Sequence, residues 1–429
     1  MGHGVAPILR RNLARAAITA LSVLVVACTR SPTETPSGPP ATLTVLPRPL
    51  TAPEVRVRDA ANAFAFALWG KVNAAQRDSN VFISPLSASF ALGMTLNGAA
   101  GTTADQMRTA LQFGGTPQSE INGGYKSLVA LLRSLDPGVT MEVANAIWYR
   151  QGFPFLPAFF DTTRAYFDAR VQGLDFNDAP ASLATINGWV SGATHARIPA
   201  VLDEIRPEHV MFLINAIYFK GGWRLKFDPT KTTASTFTAA GGAREPMQLM
   251  YRLDTVSYAE TATYQAADLP YGNSAFTMIV LLPKPGTDVE SLAASLTPSA
   301  WQALTAGLQT RKIELSLPKL TLKYERKLND DLRALGMMAP FVKGGADFTM
   351  MAPAPTGRDL YIDFVKQNTF VAIDEEGTEA AAVTTVGIGA TSLPSYPVMR
   401  VDRPYLFVLR ERLTGTLLFM GKIVRMPGA

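Results

Sequence analysis

Three histidines, one cysteine and one Ser-x-x-Lys run are the places in this chain where side-chain type and spacing invite a catalytic reading. His3 lies at the extreme N-terminus. His195 and His209 stand apart, without the i, i+4 spacing or the imidazole and carboxylate neighbours of a zinc site. Ser316-Leu317-Pro318-Lys319 fits the pattern of penicillin-recognising acyl enzymes, whose Ser and Lys must share one face of a helix. Here the run closes a β-like stretch and contains a proline, and neither a Ser-Asp-Asn nor a Lys-Thr-Gly partner occurs. A Gly-x-Ser-x-Gly elbow and a Walker phosphate loop are also missing. The residues therefore point away from an enzyme, from a metal site and from any required cofactor.

The one cysteine has a different chemistry. Arg10, Arg11 and Arg15 precede the apolar stretch from Ala16 to Ala27, which is short for a membrane span and has the charge order of a secretory signal. It ends Leu24-Val25-Val26-Ala27-Cys28, which resembles a bacterial lipobox. With no second thiol there can be no internal disulfide, and a cysteine at the signal border makes sense as an acylation point. The expectation is a lipoprotein-type signal over 1–27 and an exported protein, held by lipid on Cys28 on the periplasmic or outer side of a membrane, or else extracellular. An ordinary signal peptide with an incidental cysteine is the plainer alternative. Residues 28–54 are rich in Pro, Thr and Ser and read as an extended tether, so the folded part is expected to begin near Val55.

The 429 residues are 47% apolar and 17% charged, enough to bury a large core and unlike a fibrous or disordered chain. The net charge of +5 looks basic, but the three leader arginines account for most of it: without them 37 basic residues face 35 acidic ones. No Lys/Arg-rich block follows, which argues against nucleic acid as a partner.

Apolar residues recur at helical spacing from Val55 to Ala75 (Ala60, Phe64, Ala67, Leu68), and a second helix is expected after Ser84-Pro85-Leu86-Ser87. Later runs are β-like: Met211 to Ile214, Phe276 to Leu282, Ile313 to Leu317 and Leu417 to Met420. The first and last of these are nearly continuous apolar runs, of the kind buried on both faces. With no repeat and no internal linker, 55–429 reads as a single α+β domain.

Residues 371–399 stand out. A strand-like run, Val371-Ala372-Ile373, meets Asp374-Glu375-Glu376, then Gly377-Thr378-Glu379-Ala380-Ala381-Ala382 and a small-residue tract that carries no charge from Gly387 to Met399. Side chains alternate in a strand, so Thr378, Ala380, Ala382, Thr384 and Val386 would share one face with Glu379 on the other. The tract reads as a strand kept outside a sheet, hinged at Gly377; by composition alone it also reads as an ordinary surface loop.

At this point the sequence resembles the serpin family over essentially all of 55–429. The carriers are Glu375-Glu376-Gly377-Thr378-Glu379-Ala380-Ala381-Ala382, similar to its inhibitory hinge, and Phe419-Met420-Gly421-Lys422-Ile423-Val424, similar to its closing motif. Asn80 to Ser87, Leu213 to Trp223 and Asp402-Arg403-Pro404-Tyr405 resemble further family motifs in the right order. The resemblance implies three β-sheets with a helical cluster and an exposed reactive-centre loop. It also implies a monomeric serine protease inhibitor acting as a suicide substrate, with a non-inhibitory binding or carrier protein as the alternative.

In that scheme the protease attacks the loop and forms an acyl-enzyme, and the cut loop enters the central sheet before water can release it. About 14 inserted residues at ~3.3 Å each would carry the enzyme roughly 46 Å. Counting from Glu375 by the family's spacing puts the reactive bond at Thr391–Ser392, with Ala390 and Leu393 as alternatives. A small uncharged residue there implies elastase-like or subtilisin-like targets. Ser84, Ser87 and Asn215 match family positions that control opening of the central sheet, and Trp223 matches one at its top, where Lys319 and Glu375 would pair. Gln367 stands where the family usually has a histidine; its amide can donate and accept, so the network is expected to persist without that histidine's pH response.

Overall fold

The structure is a computed structural model and describes Met1 and residues 39–378 and 396–427. The first helix, Ala52–Ala75, begins with a capping box: the Glu54 amide donates to Thr51 Oγ1 at 3.4 Å and the Thr51 amide to Glu54 Oε2 at 2.7 Å. Val57, Ala60, Phe64, Leu68 and Val72 recur every three or four residues and are all buried. The helix Pro85–Leu96 is capped by Ser84 and buried along most of its length. With Gly101–Ala110 and Gln118–Ser134 it makes the first third helical.

The folded body starts earlier than residue 55. Leu43, Leu46 and Leu50 pack against the main core, and the Leu43 amide donates to the Asn273 carbonyl at 2.8 Å. Arg412 donates to the Leu43 carbonyl at 2.6 Å and Arg224 to the Pro40 carbonyl at 2.6 Å. Arg48 grips the Glu54 carboxylate with two bonds of 2.7 and 2.5 Å. The second half of the expected tether is therefore docked: three leucines at helical intervals supply the apolar surface that its Pro/Thr composition concealed. No helix among the described residues is long and apolar enough to cross a membrane.

Among the described residues the strands form two hydrogen-bonded sheets. In the six-stranded sheet the order is Leu320–Lys327, Lys366–Ile373, Gly377–Thr378, Met211–Gly222, Val139–Arg150 and Ala169–Leu174. The nine-stranded sheet takes in the strands of the other two expected sheets. Its 17-residue strand Arg244–Glu260 pairs in turn with Thr233–Thr238, Gln309–Pro318 and Tyr264–Pro270, which joins them into one ladder system.

Phe276–Pro283 and Leu417–Ile423 are buried at every position. The run from Met211 to Ile214 instead alternates between buried and half-buried, so it is not covered on both faces as its composition suggested.

Candidate functional site

The site begins where the chain turns out of the strand Lys366–Ile373. Asp374 Oδ1 accepts the amides of Glu376 (2.9 Å) and Gly377 (3.1 Å), and the Asp374 amide donates to the Gly377 carbonyl at 2.9 Å. This tight Asx-type turn sends the chain back along the sheet. Thr378 then pairs with Ile373 on one side and with Gly221 on the other, so Gly377–Thr378 forms a two-residue strand between Lys366–Ile373 and Met211–Gly222. Only glycine fits at 377: a Cβ there would lie 2.1 Å from the Gly221 carbonyl oxygen and 2.7 Å from Gly222 Cα.

Trp223 fastens this turn from the neighbouring strand. Its indole N–H donates to the Asp374 carbonyl at 2.9 Å and its amide to the Glu376 carbonyl at 2.7 Å. Its ring stacks on Tyr271 at 4.5 Å, and the Tyr271 hydroxyl bonds the buried Thr378 hydroxyl at 2.7 Å. Burial pushes the Tyr271 phenol well above its ordinary range, an effect the Thr378 bond opposes.

Lys319 Nζ and Thr232 Oγ1 each reach the Glu375 carboxylate at 2.7 Å. Burial alone would raise the Glu375 carboxyl, but the Lys319 and Thr232 bonds outweigh it and bring it below its ordinary value. Lys226 pairs with Glu376.

Further along the same two strands lies a polar row. Gln367 accepts the Ser84 amide at 3.0 Å and donates to the Ser84 carbonyl at 2.8 Å, while the Ser84 hydroxyl donates to the Leu418 carbonyl at 2.8 Å. The Ser87 hydroxyl bonds Asn215 Oδ1, and Asn215 Nδ2 donates to Asn145 Oδ1 at 2.7 Å. The amide at 367 thus serves as both donor and acceptor, as its chemistry suggested.

Between these two clusters the sheet is open. Among the described residues no ladder joins Met211–Gly222 directly to Lys366–Ile373; Gly377–Thr378 is the link. A cavity of about 400 Å³ lies at the end of the unpaired part that carries the polar row, away from Gly377, lined by Ser87 and Leu92 of the underlying helix, Leu213 and Asn215 on one lip and Gln367 on the other. Unpaired strand edges on either side of a gap expose backbone donors and acceptors. Chemically, these are groups with which another strand could pair. Among the described residues no group of three or more His, Cys, Asp or Glu side chains could hold a metal.

Ser84, Ser87, Asn215 and Gln367 thus meet in one cluster, and Trp223, Lys319, Glu375, Glu376, Gly377 and Thr378 in another. Glu379, Ala380, Ala381, Ala382, Ala390, Thr391, Ser392, Leu393 and Cys28 lie outside the described residues. Sequence reasoning missed Tyr271, Thr232, Lys226 and Asn145. Asn145 left a signal, as an amide inside the otherwise apolar run from Val143 to Trp148; the other three act through contacts distant in sequence and left none.

The helices, the two sheets and the two-residue strand Gly377–Thr378, seated between Met211–Gly222 and Lys366–Ile373, define an α+β protein with a part-filled sheet. Residues 59–426 match the family model "Serpin (serine protease inhibitor)". The chain belongs to the serpin family. It is 32% identical over 371 residues to human Serpin B8, covering 85% of this chain and 98% of that one. Its fold is similar to that of human thyroxine-binding globulin (TM-score 0.80, 25% identity, 87% of this chain and 100% of that one). It is also similar to the thermophilic serpin tengpin in its native state (TM-score 0.78, 27% identity, 90% and 98% covered).

Proposed function

We propose that this serpin inhibits serine proteases as a suicide substrate, with cleavage at Thr391–Ser392 and insertion of the severed loop into the six-stranded sheet. The observation that carries the reading is the double pairing of Gly377–Thr378, with the slot continuing beyond it. Extending those two registers would set Ala380 opposite Phe219, Ala382 opposite Ile217, and Thr384 between Asn215 and Gln367. Thr378 already points to the buried face, so residues 380, 382, 384 and 386 would follow it inward. All are small, uncharged or hydroxyl-bearing; none would bury an unpaired charge, and Thr384 would bring a hydroxyl to the two amides.

Water-mediated release of the acyl-enzyme competes with insertion, and a slot already started at one end favours insertion. The small residue before the bond suits elastase-like or subtilisin-like enzymes. The protein acts as a monomer, without a cofactor and without nucleic acid. It is exported and held to a membrane through lipid on Cys28.

Incubation with a subtilisin-type enzyme should give a complex that survives denaturing electrophoresis, together with a released peptide that begins at Ser392. Cleavage with no complex and no gain in heat resistance would instead support a carrier function, which the likeness to thyroxine-binding globulin brings into view. Mass spectrometry of the mature N-terminus tests the anchor: an unmodified or uncut Cys28 removes it.

A further inference from the structure

The two lips of the gap, Met211–Gly222 and Lys366–Ile373, both begin at the foot of the sheet, the end remote from Gly377, and side chains just ahead of each strand meet there. Arg206-Pro207-Glu208-His209 forms a turn closed by the His209 amide, which donates to the Arg206 carbonyl at 3.0 Å; proline occupies the second place, where its fixed φ fits. The Arg206 amide donates to His209 Nδ1 at 3.1 Å, so the neutral imidazole carries its hydrogen on Nε2. That nitrogen donates to Asp363 Oδ2 at 3.2 Å, and the Arg206 guanidinium bonds the same oxygen. His209 is buried, its ring edge-on to Phe212 on one lip (5.1 Å) and to Phe364 ahead of the other (6.2 Å). A second link runs from Asp203 to Lys366 at 3.2 Å. Each half of the bridge is braced by a different part of the fold. Arg150, which ends the strand Val139–Arg150, donates to the carbonyls of His209 (3.1 Å) and Pro207 (2.9 Å). On the other side the buried Asn329 donates to the Asp363 carbonyl at 2.8 Å and accepts the Val365 amide at 2.9 Å. Side chains thus join the two lips at an end where, among the described residues, no ladder does.

We propose that Arg206, His209 and Asp363 form a clasp at the foot of the sheet, which an entering strand must part before it can fill the gap to its end. The inference rests on the strand-inserting reading above. Two strands with a third between them stand about 9.5 Å apart. A direct bond between side chains on either side of the gap crosses the space that the third strand's backbone needs. Entry beside Asn215 and Gln367 leaves the clasp closed, whereas entry as far as Met211 does not. Glu208 also lies 3.0 Å from Arg206 Nε, so the guanidinium keeps a carboxylate when Asp363 leaves it, and the clasp can open without stranding that charge. The clasp therefore acts late, after the hinge and the polar row. A slow late step lengthens the time in which water can release a bound protease. These are positioning residues: they set how fast the sheet closes around the new strand.

The test uses the full chain, nicked rapidly by an excess of a subtilisin-type protease, and follows the rate at which heat resistance appears. Asp363→Ala should raise that rate about fivefold and Asp363→Asn about twofold, while the conservative Asp363→Glu should stay within about 1.5-fold of the parent. High salt should speed the parent toward the Asp363→Ala rate and leave that variant unchanged, a response that loss of packing alone would not produce. Variants that gain heat resistance at the parent's rate, or more slowly, overturn the clasp and leave strand insertion standing. A parent that gains none on nicking overturns the clasp and strand insertion together. A parent that gains it, with the variants in the expected order, yet forms no stable complex with the protease supports the clasp and removes the inhibitory reading.

Discussion

Gln367 holds Ser84 by both ends of its amide, and both atoms are buried. Replacing it with alanine would strand a backbone donor and acceptor, and Gln367→Ala is expected to lower unfolding stability by about 2 kcal/mol, read from denaturant midpoints. An amide has no proton to gain, so this cluster stays indifferent to acid. Glu375 does not. Its folded carboxyl lies below its ordinary value of 4.5, so the stabilisation it provides is complete above that pH and is lost as pH falls from 4.5 through the lower folded value. Glu375→Gln should therefore flatten the acid limb of the stability curve. Hydrogen exchange of the Glu376 and Gly377 amides should show the hinge loosening on acidification in the parent and not in the variant.

At the scale of elements, the two-residue strand Gly377–Thr378 decides whether the slot is started or empty. Gly377→Ala would drive a Cβ into the Gly221 carbonyl and expel the strand. The expected outcome is a protein with near-normal stability that is cut as a substrate and forms several-fold less complex, scored by the ratio of cleaved to complexed chain on gels. The turn residues Asp374 to Gly377 were legible in the sequence because three acids and a glycine form an unusual local string, whereas Glu379 to Ala382 lie outside the described residues. The pairing of Lys319 with Glu375 came only through family resemblance. Tyr271 and Thr232 were invisible, since each meets the hinge from a remote strand and neither sits in a local pattern. The run from Met211 to Ile214 misled for a related reason: apolar composition reports what can be buried, and here one face lies over an unfilled gap.

For the whole molecule, one chain boundary matters more than composition suggested. A chain shortened to begin at residue 55 loses the Thr51 cap, the Arg48–Glu54 pair and three packed leucines. At about 1 kcal/mol for the cap and a similar amount for each partly buried leucine, it should be less stable by about 4 kcal/mol, measured by thermal unfolding against a chain starting at Pro39. The same stretch has a mechanical side. Arg224 and Arg412 fasten Pro40 and Leu43 beside the turn that carries Tyr271, and Tyr271 in turn grips Thr378. Under the anchored, loop-inserting function proposed above, a leash pulling on residue 39 would load the bracket that holds Thr378, so tether and trigger would share one joint.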